Sequence, residues 1–226
     1  MARFDRMTVL NAMFDTGLCP VFYHKDVEVA KKVAMAIAEA GIKLLEFTNR
    51  GDFASEVFGQ LNKFLAKERP DMILGVGSIV DAPTAGLYIA QGTNFVVGPI
   101  LNPDVARLCN RRKIPYSPGC GSASEIQQAE ELGCEIVKVF PGEEVGGPKF
   151  VKSVLAPCPW TRIMPTGGVK ATRESVTEWI QAGAAVLGIG SDLIRKDLVE
   201  KGDFAAITQR ARDVLTWVRE ARASKK

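Results

Sequence analysis

The chain has 226 residues, is 46% hydrophobic and carries a formal charge of only +3. That length is enough for one large α/β domain spanning 1–226 with a sizeable buried core. The charge excludes a nucleic-acid-binding stripe, and the absence of any apolar run near about 18 residues excludes a membrane span.

Residues 1–15 mix Arg3, Asp5 and Arg6 with apolar residues, lack the continuous apolar core of a signal peptide, and read as an extra helix covering one end of the fold. Strand-like segments follow at 19–23, 43–47, 72–76, 94–97, 114–117, 136–139, 162–164 and 185–189. Helical patterns lie between them, among them 27–40, 53–67 and 103–111. Asn102-Pro103 supplies a cap and a first-turn proline, and Ser122-x-x-Glu125 reads as a capping box. A long helix over 204–223 ends the pattern, and Arg219, Arg222, Lys225 and Lys226 read as its solvated end and tail. Short apolar strands separated by helices indicate a parallel sheet covered on both faces. Eight βα units in this length fit a closed (β/α)8 TIM barrel. An open dinucleotide-binding sheet would want G-x-G-x-x-G after its first strand, and residues 19–25 contain no glycine.

Five scattered cysteines, Cys19, Cys109, Cys120, Cys134 and Cys158, are odd in number and form no C-x-x-C pair. This points to reduced thiols in a cytoplasmic protein. Cys120 sits in a glycine-rich loop as either a reactive thiol or a small filler. The single histidine, His24, reads as a loop residue after the first strand, and no metal site is expected.

Lys138 is the residue that most demands an explanation. It lies in Glu135-Ile136-Val137-Lys138-Val139-Phe140-Pro141, an apolar β-like run. Strand alternation places Ile136, Lys138 and Phe140 on one face and Val137 and Val139 on the other. Such a lysine either turns to solvent at a sheet edge or is buried, and burial depresses its pKa and frees an amine that can form a Schiff base. In a barrel the chemistry gathers at the C-terminal ends of the strands. The second strand ends Glu46-Phe47-Thr48-Asn49-Arg50. Glu46 shares parity with Leu44 and Thr48, so it points inward, where an unpaired carboxylate is costly; Lys138 and Arg50 are its expected partners. The alternative is a purely structural Glu–Lys pair. The third strand ends Gly75-x-Gly77-Ser78, and the last two end Pro165-Thr166-Gly167-Gly168 and Gly188-Ile189-Gly190-Ser191. Glycine loops at those last two positions suit a phosphate held by backbone N–H groups; otherwise they are ordinary turns.

Taken in order and spacing, these motifs, with Pro118-Gly119, Ser124-Glu125 and Gly146-Gly147, resemble the bacterial 2-keto-3-deoxy-6-phosphogluconate (KDPG) and 4-hydroxy-2-oxoglutarate (KHG) aldolases from about residue 20 to 194. The resemblance implies a class I aldolase without a cofactor. Lys138 would be the Schiff-base lysine and Glu46 the proton-transfer group. Arg50 and Ser78 would hold the substrate carboxylate, Pro99, Phe140 and Thr166 the rest of the substrate, and Gly167, Gly168, Gly190 and Ser191 its phosphate. It further implies a 2-keto-3-deoxy sugar acid phosphate and pyruvate as partners, and a homotrimer. Ser78 stands where that family usually has threonine, Gly142 follows Phe140-Pro141 where alanine is common, and the 118–125 loop departs from the usual pattern. Those departures leave a galactonate-derived or unphosphorylated substrate as the alternative. Another phosphate-binding barrel, or a non-catalytic sugar-phosphate sensor, would not require the lysine.

Overall fold

The computed structural model describes residues 2–224. Met1, Lys225 and Lys226, to which the helix and tail readings extend, lie outside the described residues. The fold is α/β, with parallel strands alternating with helices from end to end. Helix α1 (Arg6–Thr16) precedes β1 (Leu18–Phe22), α2 (Val27–Glu39), β2 (Leu44–Thr48), α3 (Ala54–Glu68), β3 (Ile73–Gly77), α4 (Ala82–Ala90), β4 (Val96–Val97) and α5 (Pro103–Arg112). Then come β5 (Tyr116–Ser117), β6 (Gly119–Cys120), α6 (Ala123–Glu131), β7 (Val137–Val139), α7 (Gly147–Leu155), β8 (Ile163–Pro165), α8 (Arg173–Ala182), β9 (Leu187–Ile189), α9 (Lys196–Lys201) and α10 (Phe204–Ala223).

All eight expected strands are present. The expected 114–117 strand runs on through two short pieces, β5 and β6, on either side of Pro118, which has no N–H to donate to a neighbour. One sheet has the order β5-β4-β3-β2-β1-β9 and the other β6-β7-β8. A parallel bridge between Thr166 and Gly188 lies between β8 and β9.

Helix starts follow their local chemistry. Asp26, Asp81 and Asn102 accept backbone N–H groups in the first turns of α2, α4 and α5. Ser122 caps α6 by accepting the Glu125 N–H, but the Glu125 carboxylate reaches past Ser122 to the Gly121 N–H at 2.7 Å, so the reciprocal half of the capping box is displaced by one residue.

The strands divide the core by parity. Leu45, Phe47, Val137 and Val139 pack outward against the helices. Cys19, Leu44, Ile73, Ile136, Met164 and Val186 face inward and meet Val9, Leu10 and Met13 of α1. Helix α1 thus plugs the N-terminal end of the strands, as the sequence suggests. Cys120 is fully buried, and burial pushes its thiol up to about 12, which disfavours the reactive thiolate of the two readings. Among the described residues no helix is long and apolar enough to cross a membrane.

Candidate active site

Inward parity on β2 and β7 brings Glu46 and Lys138 one layer above the plug formed by Leu44 and Ile136. Both are almost fully enclosed, at 1% and 5% exposure. The solvent-facing reading of Lys138 is therefore excluded. Burial pushes the Lys138 pKa below the ordinary lysine value; Glu46 opposes that shift and Arg50 adds to it. Burial pushes the Glu46 carboxyl upward, partly offset by Lys138 and then Arg50. The two groups feel each other's charge, yet among the described residues Glu46 makes no ion pair within 4.0 Å with Lys138 or Arg50, contrary to the close pairing expected. The Lys138 ammonium lies instead over the Phe140 ring, 4.6 Å from its centroid.

Gly77 is what lets the Glu46 carboxylate lie where it does. A β-carbon at Gly77 would overlap Glu46 Oε1 and stand 2.6 Å from its Cδ. The Arg50 Nε donates to Ser78 Oγ at 3.4 Å across the ends of β2 and β3, with Ser78 in the left-handed region at φ 61°. Nothing else among the described residues binds the Arg50 guanidinium, so it can take a carboxylate at the strand ends.

A cavity of about 710 Å³ opens above this layer. Of the residues expected at the site, Arg50, Phe140, Thr166, Gly167, Gly168, Gly190 and Ser191 line it. Lys138 and Glu46 do not line it; the Lys138 amine lies over the ring of Phe140, which does. Ser78 reaches it through Arg50. Pro99 is set apart from it, its carbonyl packed against Gly119.

At the other end of the cavity the loops are fixed by their carbonyls. Gly142 N–H donates to Thr166 O at 2.9 Å and Glu143 N–H to Gly167 O at 3.1 Å. Gly167 and Gly168 both have positive φ, and a side chain at Gly168 would collide with Glu143 Cβ. The amides of Gly168, Gly190 and Ser191 meet no protein acceptor among the described residues. They are available donors for an anion. Thr166 Oγ1 is also buried without a partner and belongs to the cavity wall.

Tyr23, His24, Thr48, Lys170, Asp192 and Lys196 also line the cavity. Thr48 ends β2 on the inward parity it shares with Glu46; the others lie in the segments that follow β1, β8 and β9, where no periodic signal marks them. His24 is a loop residue as expected, its Nδ1 accepting the Asp26 N–H at 3.0 Å.

A buried amine of lowered basicity, a buried carboxyl of raised pKa and a guanidinium bonded only to Ser78 among the described residues define a site for covalent carbonyl chemistry. The chain belongs to the KDPG and KHG aldolase family of carbon–carbon lyases, whose family model matches residues 9–210. A curated 2-dehydro-3-deoxy-phosphogluconate aldolase of Pseudoalteromonas atlantica is 33% identical over 90% of this chain and 92% of its own. The crystal structure of the 2-keto-3-deoxy-6-phosphogluconate aldolase of Zymomonas mobilis with 3-phosphoglycerate aligns at TM-score 0.81 and 27% identity, covering 92% of this chain and 95% of that one. A KDPG aldolase from Legionella pneumophila, with pyruvate captured as a covalent carbinolamine, shares the fold at TM-score 0.80 and 24% identity, covering 90% and 96%.

Proposed function

We propose that this chain is a class I aldolase that cleaves 2-keto-3-deoxy-6-phosphogluconate to pyruvate and glyceraldehyde 3-phosphate, with 4-hydroxy-2-oxoglutarate as a further substrate. The observation that carries the reading is the Lys138 amine, buried in the strand layer together with Glu46, whose charge it feels.

Neutral Lys138 attacks the C2 carbonyl to give a carbinolamine, and loss of water leaves a protonated imine. Glu46, whose pKa burial raises, moves the protons of these steps. It then takes the C4 hydroxyl proton. The C3–C4 bond breaks, the aldehyde departs, and the bonding pair flows to the imine nitrogen to give an enamine. Protonation at C3 and hydrolysis return pyruvate and the free lysine. The imine is the electron sink, so no step requires a metal. Arg50, with Ser78, grips the carboxylate; Phe140 and Thr166 flank the carbon chain; Gly167, Gly168, Gly190 and Ser191 receive the phosphate about the length of the cavity away.

We also read the two sheets as one (β/α)8 barrel and a single domain over 1–226. Chain continuity through Pro118 and the Thr166–Gly188 bridge support that closure. The free cysteines support a reducing, cytoplasmic setting. Exposed Phe53, Val80, Leu87 and Ile100 supply apolar surface for association into a homotrimer.

The test is borohydride reduction in the presence of pyruvate. It should add a reduced pyruvyl group to the peptide carrying Lys138, and Lys138→Ala should abolish both label and cleavage. Undiminished turnover by that variant would overturn the mechanism.

A further inference from the structure

The anion end of the cavity contains an acid. Asp192 lines it directly after Gly190 and Ser191. A carboxylate beside an anion site repels the ligand, so its presence there needs another reason. The hydrogen bonds supply one. Asp192 Oδ2 accepts the Ala171 N–H across 21 residues of sequence. Ala171 is buried, and its N–H would otherwise be left without a partner. The same residue is held from the far side, where Arg210 Nη2 of α10 donates to Asp192 O at 2.6 Å. The loop after β8 is already tied to the β7 loop through the Thr166 and Gly167 carbonyls. Among the described residues no backbone hydrogen bond joins the loop after β9 to it; beyond the Thr166–Gly188 bridge at the strand ends, Asp192 provides the link.

We propose that Asp192 is a positioning residue. By accepting the Ala171 N–H it sets the spacing between the Gly167-Gly168 and Gly190-Ser191 loops, and so the enzyme's selectivity for substrates with a terminal phosphate. This rests on the assignment of those loops to the phosphate. The carboxylate acts as a fixed acceptor, and Arg210 extends the restraint to the C-terminal helix.

The geometry separates the acceptor role from the charge. Asp192→Asn retains an oxygen that accepts the Ala171 N–H but removes the negative charge. Asp192→Ala removes both. Steady-state kinetics would be measured for both variants on 2-keto-3-deoxy-6-phosphogluconate and on its unphosphorylated analogue. Losing a charge-assisted hydrogen bond should raise the KM of Asp192→Ala for the phosphorylated substrate by about tenfold or more. Its kcat should stay within about twofold, as should its KM for the analogue. Asp192→Asn should restore the phosphorylated KM to the wild-type value or below it. Equal KM changes for the two substrates, or a loss in Asp192→Asn as large as in Asp192→Ala, would overturn the proposal.

Gly168→Leu distinguishes this failure from failure of the phosphate assignment. If Gly168→Leu impairs the phosphorylated substrate selectively and Asp192→Ala does not, only the role of Asp192 falls. If Gly168→Leu impairs both substrates equally, the phosphate assignment falls with it. Should Asp192→Ala not fold, the acceptor role predicts that Asp192→Asn folds and keeps wild-type selectivity, and loss of that selectivity in Asp192→Asn overturns it.

Discussion

Gly77→Ala is the smallest perturbation that should disarm the site without unfolding the protein. Gly77 ends β3 and does not have a positive φ, so its backbone conformation accepts alanine. The added methyl, however, lands in the Glu46 carboxylate, with Cδ at 2.6 Å. Carbon atoms pack at about 3.5–4.0 Å, so the carboxylate carbon has to retreat by about 1 Å. The obstacle is the end of a side chain, so Glu46 moves rather than the sheet. A misplacement of about 1 Å in a reacting constellation can cost about 10²-fold in rate. We expect kcat for pyruvate release, followed by a coupled reductase assay, to fall by about 10², with a melting temperature within a few degrees of wild type. Borohydride labelling of Lys138 should remain possible, but slower. If Gly77→Ala keeps kcat within about threefold of wild type, the observed placement of Glu46 is not what catalysis uses.

Glu46→Gln keeps size but loses the proton-transfer group. It should lower kcat by about 10²–10⁴ with a much smaller change in KM, and slow deuterium exchange at the pyruvate methyl. Arg50→Ala should weaken pyruvate binding by about 1.5–3 kcal/mol, measured by titration. The same two variants should move the pH dependence of Lys138 trapping in opposite directions. Arg50 depresses the Lys138 pKa, so its removal raises that pKa and shifts the acid limb of trapping at saturating pyruvate to higher pH; Glu46 raises the pKa, so Glu46→Gln shifts the limb lower. Exhaustive chelation should leave the cleavage rate unchanged, and a loss restored by zinc or magnesium would refute imine catalysis.

The regular elements were legible because two periodicities dominate the sequence. The alternation in 136–140 correctly faces Lys138 inward with Ile136, and the same rule turns Glu46 inward with Leu44. The terminal helix is found over the residues expected, Phe204–Ala223. What the sequence conceals is set by contacts between distant loops. The interruption at Pro118 follows from a missing donor whose effect depends on the neighbouring strands. The shift of Glu125 to Gly121 depends on a loop shape. The placing of the Lys138 amine over Phe140, with no close ion pair to Glu46, depends on side-chain packing that parity cannot specify. The cavity walls built from Tyr23, His24, Lys170 and Lys196 come from residues that share no period at all.

The helix α1 plug has a consequence for the order of events. Val9, Leu10 and Met13 pack with the inward residues Leu44 and Ile136 and fill the N-terminal end of the strands, so passage through that end is blocked. In the proposed reaction the three-carbon fragment stays covalently bound to Lys138 while the aldehyde does not. The expected order of departure is therefore aldehyde first and pyruvate last. Kinetically this is an ordered uni-bi scheme, in which pyruvate inhibits competitively against the sugar acid and the aldehyde inhibits noncompetitively.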